Sequence, residues 1–203
     1  MCTMASMHIK PSSLHHSIGE AFWHDARDFL RRFDALWEHG SLMHKSGRTK
    51  SFVDLMMGCE CALKAHVFIS RTSEDCPTIY RRIRDAGHHI AQLMPLASFM
   101  EDRTHYNRLE EKLGKLGVSI RYSLDADGLF FPLIPSNREA LSYSQLVGSE
   151  VWVQEVRESL KALIDAALDE FTGQIDMSDG LAPAIELDKF VTEHVLKRSR
   201  RQK

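Results

Sequence analysis

The residues best suited to chemistry in this chain fall in two short stretches. One is Glu60-Cys61-Ala62-Leu63-Lys64-Ala65-His66, and the other is Arg84-Asp85-Ala86-Gly87-His88-His89. Glu60 and Lys64 are four apart, so on a helix their opposite charges share one face. Their neighbours are small or apolar, which suits a pair lining a groove or a helix–helix contact. The plain alternative is a surface ion pair worth roughly 0.3–0.5 kcal/mol. In the second stretch, a histidine titrating near neutrality can take a proton from a hydroxyl or give one to a leaving oxygen. An arginine beside it can hold a phosphate and stabilise charge in the transition state. These are the parts of a metal-free phosphodiester cleavage. On one continuous helix Arg84 and His88 share a face, whereas Arg84 and His89 lie about 140° apart. Gly87 offers a break that changes this relation: as a cap it starts a fresh helix at His88 and leaves Arg84 in the turn before it.

The elements that must position these residues read as helices. A helix from about Ile18 to Glu38 carries Phe22, Ala26, Phe29, Leu30, Phe33, Leu36 and Trp37 as an apolar face, and Gly40 suits its end. Ser51 caps a second helix, Phe52 to Ile69, which carries Glu60 and Lys64 and sets Cys59, Leu63, His66 and Val67 at core spacing. A third stretch runs from Ile79 to Met94 with a break at Gly87, and a fourth from Ala97 to Leu116. Residues 118–146 lose the helical period. Asp127-Gly128 there suits a hairpin turn, and Pro132 and Pro135 confine a second arm to an edge or an irregular loop. A fifth helix, Gly148 to Phe171, buries Val151, Trp152, Val156, Leu160, Leu163, Ile164, Ala167 and Leu168, and a last one runs to about Lys197. The expected fold is all-α: an up-and-down bundle of five to six helices with one irregular or hairpin-like excursion around 118–146. Residues 1–17 form a loose N-terminus, 18–196 the single domain, and 197–203 a basic tail.

Bulk properties narrow the function classes. The 203 residues, 43% hydrophobic and 27% charged, are enough for one well-buried core. A net charge of −2 argues against polyanion binding by the whole surface but leaves room for a local basic groove. Cys59 and Cys61 on a helix point about 200° apart, poor geometry for a shared metal. The four cysteines form no Cys-x-x-Cys pair, and a reducing, cytoplasmic setting is the simplest reading. No apolar run is long enough to span a membrane. No Glu-x-x-His metal motif, phosphate-binding glycine loop or nucleophile elbow occurs, so neither a metal nor another cofactor is expected.

Arg84-x(4)-His89, with the polar Asp85 after the arginine, resembles the Arg-x(4–6)-His motif of ribonucleases in the HEPN family of small helical bundles. Glu60 and Lys64 are similar to that family's signature pair in the second helix. The Gly87-His88-His89 step resembles a Thr/Gly-His-Asp-Leu motif found in many of its members, and Arg121-Tyr122 resembles an Arg-Tyr step that recurs after their third core helix. The resemblance spans roughly Phe52 to Arg121. It implies a protein that binds RNA or a nucleotide, with metal-independent endoribonuclease activity as its catalytic form. It further implies Arg84 and His89 as the catalytic pair and Glu60, Lys64, Asp85, His88 and Arg121 as binding residues. It also implies a homodimer with a shared cleft, a toxin–antitoxin or other defence setting, and a nucleotidyltransferase or antitoxin as partner. The alternative reading is a non-catalytic helical module that works by protein–protein or nucleotide binding.

Overall fold

The computed structural model describes residues 10–11, 13–38, 44–132, 141–172, 175–176 and 181–196. It is an all-helical bundle. The elements in chain order are β1 (Lys10–Pro11), α1 (Leu14–Glu38), α2 (Lys45–Ser70), α3 (Cys76–Ala86), α4 (Ile90–Leu93) and α5 (Thr104–Leu113). A 3-10 turn (Val118–Arg121), α6 (Ser123–Phe130) and a second 3-10 turn (Tyr143–Gln145) follow. The chain continues with α7 (Glu150–Ala166), α8 (Leu168–Thr172), β2 (Ile175–Asp176), α9 (Ala182–Phe190) and a wide π-type turn (Val191–Leu196). β1 and β2 form one two-residue parallel pairing at the edge of the bundle. The basic tail falls outside the described residues. Among the described residues no helix is long and apolar enough to cross a membrane.

The central element is α2. Phe52, Leu55, Met56, Cys59, Ala62, Leu63, Ala65, Val67 and Phe68 are buried around its whole circumference, the mark of a helix enclosed by others. It packs most extensively on α1, and also on α7, α3, α4, α6 and the 3-10 turn at Val118–Arg121. Gly58 makes the close approach to α7 workable, because a Cβ there would lie 2.7 Å from Leu160 Cδ2. Side-chain hydrogen bonds tie α7 to α1. Trp23 Nε1 donates to the Ile164 carbonyl at 3.0 Å, and Arg157 grips Asp34 through two bonds of 2.7 and 2.8 Å.

Several expectations change in detail. α2 begins at Lys45, six residues before Ser51, and Ser51 is buried inside it. Thr49 Oγ1 returns a bond to the Lys45 carbonyl at 2.8 Å, so this polar stretch satisfies itself within a helix. The expected hairpin is absent: Asp127-Gly128 lies inside α6. Ala126 and Phe130, four apart, are both buried, and burial at that helical spacing outweighs the local turn preference of Asp-Gly. The described part of 118–146 is therefore largely helical turns, and 133–140 lie outside the described residues. The fourth stretch shrinks to Thr104–Leu113 because the preceding loop finds partners without a helix. Arg103 donates to the Met94 and Ala97 carbonyls, and Arg71 to that of Leu96. Leu36 and Val151 are exposed, at 43% and 70%, while Trp23 and Val153 are buried. Of the stripes expected on α1 and α7, Ala26, Phe33, Val156, Leu160, Leu163 and Ile164 lie in the core. The fifth helix is also broken, at Ala167 between α7 and α8.

Candidate functional site at the corner between α3 and α4

The site begins on α2. Glu60 sits at the middle of this enclosed helix and only 2% of its side chain reaches solvent. Lys64, one turn on, pairs with Glu60 Oε1 and is itself 15% exposed. A buried carboxylate without a counter-charge is costly, so the lysine is the first condition of the site. Lys64 Nζ also lies 5.5 Å from the centre of the Phe22 ring on α1.

The second half comes from the end of α3. Asp75 caps that helix by accepting the Thr78 N–H at 2.9 Å, and Pro77 occupies its first turn. The helix stops at Gly87, whose φ of +57° is a left-handed value that only glycine adopts readily. The backbone then turns, and α4 starts from His89 as its N-cap. The break directs the His88 ring back over α2, where His88 Nδ1 meets Glu60 Oε2 at 2.9 Å. More than half of the His88 side chain, 57%, remains exposed.

That contact fixes the tautomer. An ionised carboxylate only accepts hydrogen bonds, so Nδ1 carries the proton and donates it to Glu60. In the neutral ring Nε2 is left as an unprotonated acceptor. Glu60 uses both oxygens, one for Lys64 and one for His88. Surrounding groups feel the same arrangement. Burial, and next the neighbouring Asp28, raise the Asp25 carboxyl above its ordinary range, with Lys64 among the groups opposing the rise. Burial pushes the Cys61 thiol up to about 12, against the pull of Lys64, so this cysteine is not a ready nucleophile.

The remaining expected residues are placed as follows. Arg84 lies in the last turn of α3, with its guanidinium carbon 5.9 Å from the centre of the Tyr80 ring. Arg81, exposed, is three residues before Arg84 and so falls on the same side of α3. Asp85 is exposed. The His89 side chain is exposed and makes no cap hydrogen bond, while its N–H donates to the Ala86 carbonyl at 3.1 Å. Arg121 is exposed on the 3-10 turn and donates to the hydroxyl of its neighbour Tyr122 at 2.8 Å. The structure therefore brings Glu60, Lys64 and His88 into one hydrogen-bonded group. Arg84 and His89 flank that group without bonding to it.

A second histidine site could not be read from sequence. His66 is fully buried, with Nε2 donating to the Leu163 carbonyl at 2.8 Å and Nδ1 accepting from the Tyr106 hydroxyl at 2.5 Å. It joins α2, α5 and α7. Burial lowers its pKa to about 4, so the ring is neutral and structural. Its only sequence signal was a core position on α2, which says nothing of partners 40 and 97 residues away. Among the described residues no group of three or more His, Cys, Asp or Glu side chains is arranged to hold a metal ion.

Comparison of the chain with protein-family models, with curated proteins and with solved structures finds no match in any of the three.

Proposed function

We propose that this chain is a HEPN-like helical bundle that binds RNA at the corner between α3 and α4 and cleaves it without a metal ion. The observation that carries the reading is the exposed His88 ring, hydrogen-bonded to a buried carboxylate that is itself paired with Lys64. An exposed imidazole with one nitrogen anchored and the other free suits proton transfer to or from a bound ligand. The flanking surface suits a nucleic acid strand. Arg81 and Arg84 supply positive charge for phosphates.

In this reading Arg84 holds the scissile phosphate, His88 stands where the proton is transferred, and Asp85, His89 and Arg121 contribute to binding the strand. A homodimer would bring a second copy of this corner to a shared cleft, with a cytoplasmic defence setting as the context that the resemblance supplies. The non-catalytic module is favoured by one observation: Arg84 stacks towards Tyr80 and makes no bond to either histidine.

The test is direct. Purified protein is incubated with structured and single-stranded RNAs in excess EDTA, and the product ends are read by mass spectrometry. Cleavage that persists in EDTA and leaves 2′,3′-cyclic phosphate ends supports the enzyme. Binding without cleavage, measured by fluorescence anisotropy, supports the module. Absence of both rejects the RNA reading.

A further inference from the structure

We infer that His88, and not the neighbouring His89, is the proton-transfer residue of the corner, and that Glu60 is the positioning residue that presents its Nε2 to the substrate. The inference rests on the RNA-cleavage reading above. Its observations are geometric. Of the two adjacent histidines, only His88 has a partner that fixes its ring: Glu60 Oε2, 2.9 Å from Nδ1. A ring free to rotate loses part of the advantage of a placed catalytic group. Glu60 is 2% exposed on the most enclosed helix of the fold, so it is a rigid anchor. Lys64 occupies the other oxygen and leaves Oε2 facing His88. His89 is instead used through its backbone. Its carbonyl accepts the Gln92 and Leu93 N–H groups that start α4, and its imidazole makes no cap hydrogen bond.

The chemical step follows from that tautomer. His88 Nε2 takes the proton of a ribose 2′-hydroxyl. The 2′-oxygen forms a bond to the adjacent phosphorus, and the bond from phosphorus to the 5′-oxygen breaks. The leaving 5′-oxygen takes a proton from water. The products are a 2′,3′-cyclic phosphate and a 5′-hydroxyl. The His88 imidazolium formed is stabilised through Nδ1–H by Glu60 and later returns its proton to solvent.

The experiment compares His88→Ala, His89→Ala and Glu60→Gln with the wild type in steady-state RNA cleavage. His88→Ala should lower kcat by about a hundredfold or more, with KM little changed, and added imidazole should restore part of the rate. His89→Ala should raise KM while keeping kcat within about threefold of wild type, because an unanchored side chain can help to bind the strand but does not place a proton-transfer group. Glu60→Gln keeps the shape but lets its amide offer either oxygen or NH₂ to Nδ1. Its kcat should fall at unchanged KM, and the ¹⁵N signals of His88 should move from one tautomer towards a mixture. Circular dichroism and thermal melts confirm that each variant is folded. If Glu60→Gln does not fold, the two histidine variants, both at exposed positions, decide the matter. Loss of activity in His89→Ala with retention in His88→Ala overturns the inference and leaves the cleavage reading standing. A wild type that cleaves no RNA overturns both.

Discussion

Two histidines of this bundle are hydrogen-bonded in opposite ways, and the contrast separates a structural ring from one available for chemistry. His66 uses both nitrogens inside the core, on the Leu163 carbonyl and the Tyr106 hydroxyl. Nothing is left over for a substrate, and burial holds the ring neutral. His88 uses one nitrogen on Glu60 and turns the other outward. Its partner is a charge, not a carbonyl. The anchoring of each ring therefore says little by itself. What matters is the nitrogen that remains and the charge behind the one that is used.

The first way to break the comparison is to remove the core histidine. His66→Phe keeps an aromatic volume but leaves the Leu163 carbonyl and the Tyr106 O–H without their partner. Two buried groups losing a hydrogen bond should cost about 3 kcal/mol together, read as a lower midpoint in urea unfolding. The matching effect of pH has a definite sign. His66 has a folded pKa near 4, below the 6.5 of the free side chain. Between those values the unfolded chain binds the extra proton and the folded chain does not. The stability that His66 contributes is therefore complete above about pH 6.5, falls as pH drops towards 4, and falls no further below it, a total of about 3 kcal/mol. Urea titrations across that window should show the slope, and His66→Phe should remove this part of it.

A smaller effect is expected at Gly87. Alanine there meets no atom within 4 Å, so the change tests backbone strain alone. At φ +57° and ψ −128° the substitution should cost about 1–2 kcal/mol. If the turn relaxes to escape the strain, His88 moves away from Glu60. The smallest effect on stability belongs to His88→Ala. The ring is mostly exposed and Glu60 keeps Lys64, so the loss should be about 1 kcal/mol or less. A large loss at His88 together with a small one at His66 would invert the comparison.

How far the sequence carries can be judged residue by residue. The long helices were legible because α1 and α7 repeat apolar residues at the helical period, although Leu36 and Val151 show that the edge of a stripe can face solvent. The break at Gly87 was legible because glycine directly before the His88-His89 pair is a local signal. So was the closeness of Glu60 and Lys64, which needs only one turn of helix. α6 was not, because Asp127-Gly128 is a good turn locally and the burial of Ala126 and Phe130 that overrides it is tertiary. The bond from His88 to Glu60 was not either. It spans 28 residues and depends on α3 packing back along α2 and on the direction given by the Gly87 turn. The motif resemblance made His89 the partner of Arg84, whereas helical spacing and the bond to Glu60 both point to His88. Tyr106 and His66 likewise carry no local sign of each other.

The most direct test of the account is the tautomer of His88 in the unmodified protein. Two-bond ¹H–¹⁵N spectra of histidine-labelled protein, recorded with the imidazole neutral and assigned by the signal lost in His88→Ala, report which ring nitrogen carries the proton. The account predicts a single form, with Nδ1 protonated and Nε2 bare. A His88 ring protonated on Nε2, or averaging freely between the two forms, would contradict it.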